Sequence, residues 1–311
     1  MIKLEGQVEP ESIDGVNKKS FSPGWLILII AMGLTDLGLI LRGFLHGHNV
    51  ALFNPRGLIA KQEHSLMLFA VIVLLAIGIP TLCLLYFTAW KYRETNTKAR
   101  YDPSPKHGTA LSVVLWTIPT LVMLAIATVI WPATFRLSPR KAIASSNKTL
   151  TIQVISMRWK WLFIYPEQQI ATVNFVQVPV GTPVQFELTA DDAPMSSFWI
   201  PNLSGQLYSM TGMVNRLNVV ADDPGDYPGG SAEINGAGFS GMKFVARASD
   251  TQSFNSWVQT VKQSQQVLDS NTYASVLKPS QYNVAAFYSA YDNSLYDKVL
   301  TKYIGPGGHT H

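Results

Sequence analysis

The sequence predicts a membrane-anchored α+β chain: an N-terminal transmembrane helical hairpin, then a β-sandwich, then short C-terminal helices. Three observations predict it. Two runs, Leu66–Phe87 and Leu111–Pro132, are each 22 residues long and carry no charge; about 20 apolar residues suffice to cross a hydrocarbon core. From about Leu150 the pattern changes to short runs rich in Val, Ile, Thr and aromatic residues, broken by turns, as in sandwiches and barrels. After Ser249 it changes again, to apolar residues at helical spacing.

Taken in order, residues 1–48 read as a signal-like or uncleaved anchor segment. Lys18 and Lys19 precede the apolar stretch Trp25–Leu41, and no A-x-A-like cleavage site follows it. Asp36 lies within that stretch, where an acid costs about 2.5–3.5 kcal/mol on insertion scales. Residues 49–135 hold the hairpin. Pro80 and Pro119 fall inside its helices, which membrane helices tolerate where neighbours satisfy the freed carbonyls. Lys91, Arg93, Lys98, Arg100 and Lys106 lie between the helices against only Glu94 and Asp102. By the positive-inside rule that connection is cytoplasmic, and everything after about Trp131 is on the outer side.

Residues 136–250 form the sandwich. Strands are expected at Thr149–Met157, Trp159–Tyr165, Thr172–Val178, Pro183–Thr189, Val214–Val220 and Lys243–Ala248. Gly181, Asp191-Asp192, Pro224-Gly225 and Gly229-Gly230 supply turns. Residues 251–311 form a C-terminal helical extension. Asp250 or Thr251 caps a helix with Phe254, Trp257, Val258 and Val261 on one face, and Leu295, Tyr296, Val299, Leu300 and Tyr303 make a second. Both are expected to lie on a partner or on the sandwich, with Gly305–His311 as a disordered tail.

Composition excludes several classes of function. Charged residues make up 14% of the chain, against about 25% in soluble domains. The net charge is +4, and the basic residues cluster beside the apolar runs. They read as membrane flanks and not as a nucleic-acid face. The one cysteine, Cys83, lies in an apolar run as a buried small hydrophobe, and no intramolecular disulfide can form. The histidines are His46, His48, His64, His107, His309 and His311, so between His107 and His309 there is neither Cys nor His. A thiolate–imidazole copper centre or a Cys/His zinc site cannot be built there. No G-x-S-x-G, H-E-x-x-H or phosphate-binding glycine loop marks an independent enzyme.

One segment nevertheless has the frame of a metal site. It opens with Met195-Ser196-Ser197-Phe198-Trp199-Ile200-Pro201. It closes with Ser231-Ala232-Glu233-Ile234-Asn235-Gly236-Ala237-Gly238-Phe239-Ser240-Gly241-Met242. With the hairpin and the Trp159-Lys160-Trp161 strand, this resembles subunit II of the haem–copper respiratory oxidases. In the cytochrome c-oxidising branch of that family the closing run reads C-x-E-x-C-G-x-x-H-x-x-M, and a histidine precedes the S-F-W. Here Ser231 and Asn235 stand at the cysteine positions and Ser196 and Phe239 at the histidine positions. Only Met242 matches a ligand. Ser, Asn and Phe cannot replace thiolate and imidazole on copper, and the resemblance therefore points to the quinol-oxidising branch.

That resemblance implies a cupredoxin-like Greek-key sandwich lacking copper ligands, with no cofactor in this chain and haems and copper in a partner, subunit I. It implies ubiquinol as the substrate of the complex, dioxygen reduced to water, protons translocated, and further small membrane subunits. The location implied is a bacterial inner membrane, multi-pass, with the C-terminal domain periplasmic. Glu233 matches a glutamate that can help hold magnesium between subunits I and II, although one carboxylate is a thin basis for that ion. An aromatic in the Trp159–Trp161 segment admits electrons in the copper-bearing relatives. With no copper behind it, Trp159 and Trp161 become candidates for packing against a partner subunit or the sandwich core. Ser112 stands where many relatives carry a glutamate at a proton path, so that role is not carried over. A non-redox membrane-anchored assembly or scaffold protein on the same fold is the alternative.

Overall fold

The computed structural model describes residues 50–98, 108–145 and 147–303, with helical residues 32, 33, 35, 36, 38, 39 and 42 before them. Most of the anchor proposed for residues 1–48, most of the basic connection, His46, His48, His107 and the tail with His309 and His311 lie outside the described residues. The hairpin consists of α1 (Leu58–Lys91) and α2 (Thr109–Arg136), both long and apolar enough to cross a membrane. Each extends past its charge-free run at both ends. Thr81 and Thr120, each directly after a proline, donate their hydroxyls to the carbonyls of Ile77 and Trp116 at 2.7 Å. Cys83 is exposed on the hairpin's apolar surface. The expectation of a buried cysteine is corrected: a helix apolar all round leaves its side chains outside, for lipid or another helix.

The sandwich contains β1 (Leu150–Met157), β2 (Lys160–Tyr165), β3 (Ile170–Val173), β4 (Phe175–Pro179), β5 (Val184–Ala190), β6 (Ser196–Trp199) and β7 (Leu207–Ser209). It continues with β8 (Asn215–Val219), β9 (Gly225–Ser231) and β10 (Lys243–Ser249). The extension adds α3 (Thr251–Lys262), β11 (Val267–Leu268), α4 (Ser270–Leu277), β12 (Ala286–Tyr288), β13 (Ala290–Tyr291) and α5 (Leu295–Tyr303). One sheet has the order β12-β3-β2-β1-β5-β8 and the other β4-β10-β9-β6-β7, while β11 pairs with β13. The β1–β5 and β4–β10 pairs are parallel, so the chain crosses between sheets instead of running as a meander.

Two departures from the expected strands have clear causes. The expected strand Thr172–Val178 is split at Asn174, whose φ of 54° turns the chain from one sheet to the other. Asparagine tolerates that left-handed conformation, and its Oδ1 accepts from Trp161 N at 2.9 Å. Of the turns expected at Pro224-Gly225 and Gly229-Gly230, Gly225, Gly229 and Gly230 instead lie in β9. Gly229 is required there because a Cβ would come 2.2 Å from Phe244 Cζ.

Strand β2 is buried on both faces. Trp161, Phe163 and Tyr165 point between the sheets, while Leu162 and Ile164 point out to a second core made with α5 and β12. The extension thus packs on the sandwich, the second of the two places expected for it. Asp250 accepts from Ser253 N at 2.8 Å to cap α3, which buries Phe254, Val258 and Val261. Asp269 caps α4 in the same way, a helix the sequence reading did not expect. Two buried charges fasten this layer. Lys160, 4% exposed, donates to Val276 O, Lys278 O and Ser280 Oγ at 2.6, 2.8 and 2.5 Å. Asp191, 1% exposed, accepts from Lys302 Nζ and Tyr303 OH at 2.7 Å and from Tyr273 OH at 2.5 Å. Burial pushes the Asp191 carboxyl up, but these three donors outweigh it and hold its pKa below the usual value.

A seam joins hairpin to sandwich. Arg56 N donates to Asn202 O at 2.8 Å and Asp222 N to Arg56 O at 2.9 Å. Gly57 bridges to Ala221, and a Cβ on it would meet Leu203 O at 2.6 Å. Lys61 pairs with Asp222 at 2.6 Å and Arg56 with Asp223 at 3.1 Å. On the other side, Asn218 donates through its backbone and side chain to Pro139 O, just beyond α2.

Replacing Asp191 with Asn should destabilise the protein by about 2–3 kcal/mol at neutral pH, since it leaves Lys302 without its counter-charge. Because the folded pKa is lowered, the carboxylate's contribution is present above the unfolded value of about 3.9 and is lost as pH falls through the folded one. Thermal unfolding of wild type and Asp191→Asn should therefore show a gap at pH 6 that narrows as the medium is acidified below pH 4.

Candidate functional site

The two segments of the metal-site frame meet at one end of the sandwich. Strand β6 brings in Ser196, and the stretch between β9 and β10 brings in Asn235 and Met242. Phe198 on β6 stacks on Phe244 of β10, with centroids 5.1 Å apart and planes at 10°. Trp161, Phe163 and Phe186 pack around that stack. These rings fix the two segments from below, whatever side chains the loops above them carry.

Above the stack, three of the five frame positions are joined by hydrogen bonds. Asn235 Nδ2 donates to Ser196 Oγ at 2.8 Å and to Met242 Sδ at 3.0 Å. Ser196 Oγ in turn donates to Pro194 O at 3.2 Å. The sulfur can only accept, so the amide orientation follows from this network. Ser196 and Met242 are wholly buried and Asn235 is 9% exposed. Ser231 turns away, donating its hydroxyl to Glu233 O at 2.9 Å. Phe239 begins a single 3₁₀ turn, Phe239–Gly241, and is half-buried. Copper does not fit this set: an amide N–H points into the space between the thioether and the hydroxyl, where a metal would need lone pairs.

Trp159 covers the loop. Its backbone is left-handed, with φ of 64°, and its indole packs, partly buried, against the edge of the aromatic core. The ring lies on Gly236 and Gly238, where a Cβ at Gly238 would come 2.3 Å from Trp159 Cδ2. Its Nε1 donates to Asn235 O at 3.4 Å. Trp161 is fully buried in the aromatic core, so its candidacy for a partner interface is corrected: it has no surface to offer. Glu233 is exposed, and among the described residues no three Asp, Glu, His or Cys side chains come together. Tyr282 went unnoticed in the sequence. It closes over Gly241 and shares a 2.8 Å hydrogen bond with Ser240, tying the extension to the same loop.

Two family models match the chain. Residues 165–249 match "Cytochrome C oxidase subunit II, periplasmic domain" and residues 262–307 match "COX Aromatic Rich Motif". Cytochrome bo(3) ubiquinol oxidase subunit 2 of Pseudomonas aeruginosa is 40% identical over 259 residues, covering 83% of this chain and 78% of that protein. Ubiquinol oxidase subunit 2 of Acetobacter aceti is 37% identical over 83% of this chain and 84% of its own length. The chain belongs to the quinol oxidase subunit 2 family. Family membership agrees with the branch expected from the non-ligating side chains, and the match at residues 165–249 to a subunit II periplasmic domain agrees with the fold expected there. Among solved structures, the periplasmic domain of subunit II of cytochrome oxidase from Bradyrhizobium japonicum aligns with a TM-score of 0.35. It does so at 22% identity, over 39% of this chain and 95% of that one.

Asn235→Ala should cost about 1–2 kcal/mol, because it removes the donor that the buried Ser196 hydroxyl and Met242 sulfur both accept from. Phe198→Ala should cost about 3–5 kcal/mol by opening a cavity in the core. Chelator treatment should leave the unfolding temperature of wild type unchanged. Calorimetry with and without chelator measures all three effects.

Proposed function

We propose that this chain is the structural subunit II of a membrane-bound quinol:oxygen oxidoreductase and takes no electrons itself. The complex oxidises ubiquinol, reduces dioxygen to water and moves protons across the membrane. The haems and copper reside in subunit I, over which the sandwich forms a periplasmic cap at the inner membrane, together with smaller membrane subunits. The observation that carries the reading is the Ser196–Asn235–Met242 hydrogen-bond set in the place where the family's other branch holds copper. The names of the relatives favour this reading over a non-redox scaffold.

The physical logic is one of phase. Cytochrome c arrives through water and needs a relay on a water-side domain, whereas quinol dissolves in the bilayer and delivers electrons from there. A domain relieved of the relay keeps its fold only for contacts. Trp159 acts in that role by holding the 236–238 loop, and Glu233 is left as a surface carboxylate that a partner could use for magnesium. Ser112, one turn into α2, brings no carboxylate for a proton path.

The purified complex should oxidise ubiquinol and fail to oxidise reduced cytochrome c. Trp159→Ala should lower the yield of assembled complex, since removing a packed indole costs about 3 kcal/mol or more. Turnover per haem should stay near that of wild type. Rapid cytochrome c oxidation, or a fully assembled Trp159→Ala complex that has lost turnover, would refute the proposal.

The hairpin should keep its connection in the cytoplasm. In a Cys83→Ser background, a cysteine replacing Thr97 should resist membrane-impermeant maleimide in intact spheroplasts, while one replacing Gln263 reacts. The reverse pattern would overturn the topology.

A further inference from the structure

Two cavities meet where the hairpin enters the sandwich. The upper one, about 380 Å³, lies between the start of α1, the segment after α2 and the sandwich, and its charged lining is Glu63, Arg136 and Lys141. The lower one, about 880 Å³, is a groove between α1 and α2 lined by side chains such as Phe69, Val73, Ile126 and Ile130. Both are bordered by Leu137, Ser138 and Pro139, so the groove and the charged upper cavity adjoin along that segment. The two volumes fall within the range of about 300–1,000 Å³ usual for small-molecule sites.

Among the described residues, the charges of the upper cavity are unmatched. Glu63 accepts from Gly205 N at 3.2 Å, and among the described residues no cation sits on its carboxylate. Among the described residues neither Arg136 nor Lys141 has an acidic partner, unlike Lys61 and Arg56 nearby. An anion alone would suit the cations and be repelled by Glu63, and a cation alone would meet the converse. A ligand carrying both charges on a short arm, with a long apolar tail, satisfies the chamber and the groove together.

We propose that this double cavity binds one zwitterionic phospholipid of the ethanolamine class. Its phosphate sits by Arg136 and Lys141, its primary ammonium donates to the free oxygen of Glu63, and an acyl chain lies in the groove between α1 and α2. Depth supports the assignment. Arg136 ends α2 and Glu63 lies in the second turn of α1, so the chamber is at the outer mouth of the hairpin, at headgroup level, with the groove below it in the hydrocarbon. A choline headgroup fits less well, because its quaternary ammonium has no N–H to give Glu63. The site is separate from the loops at Asn235 and does not depend on how the complex treats quinol.

The test uses the whole complex, delipidated in detergent and checked for subunit stoichiometry and haem content, with lipid binding followed by native mass spectrometry. Dioleoylphosphatidylethanolamine should be retained about tenfold more tightly than its choline analogue, the size expected for one charge-assisted hydrogen bond. Glu63→Gln, which still accepts from Gly205 N, should abolish that preference. Arg136→Gln with Lys141→Gln should weaken both lipids about equally, and Ala70→Trp, which fills the groove, should exclude both. Equal retention of the two lipids by wild type, retention unchanged by Glu63→Gln, or a preference for phosphatidylglycerol would overturn the assignment. So would a ubiquinone displaced by these substitutions, or no lipid at all because subunit I covers the chamber.

Discussion

The stack of Phe198 on Phe244 is the contact on which the rest of the sandwich hangs. Each ring stands two residues from a frame position, Ser196 on one strand and Met242 at the foot of the other. Offset or edge contacts among aromatic rings contribute about 0.5–1.5 kcal/mol beyond the area they bury, and here five rings share one cluster. Around it Tyr165 links the sheets, donating to Gln177 O at 2.9 Å and accepting from Gln177 N at 2.8 Å, with burial pushing its phenol pKa up. A metal site built on such a platform can lose its metal without losing its shape. The amide of Asn235 needs only to satisfy its neighbours.

Much of this was legible in the sequence. The hairpin was, because absence of charge over 22 residues is a statement about solvent that no tertiary contact overrides. Strands β1, β5, β8 and β10 were, because β-branched residues recur between turns. Strand β9 was not, because Gly229 is there for the Phe244 ring and so imitates a turn. The break at Asn174 was not, because a left-handed asparagine leaves the apolar run around it continuous. The identity of the frame positions was legible from spacing alone. What replaced the ligands there was not, since Asn235 and Ser196 are 39 residues apart. Lys160 left a faint signal, a lone charge between tryptophans on a strand apolar on both faces.

The seam gives the subunit its mechanical character. Ala221 pairs with Gly57, and Asp222 and Asp223 take Lys61 and Arg56, so the first turn of α1 is held directly by the sandwich. Pro139, just past α2, is held by Asn218. Hairpin and sandwich are joined at both chain crossings.

Lys160 has a consequence for biosynthesis. Its ammonium is buried at the head of β2, yet the oxygens that receive it lie 116 to 120 residues later in the chain. While the ribosome is still making the intervening strands, that charge has no internal acceptor and β2 cannot settle into its final surroundings. The sandwich therefore becomes complete only once the segment around Ser280 has been made. A chain cut short before that point carries a lysine with none of these three acceptors.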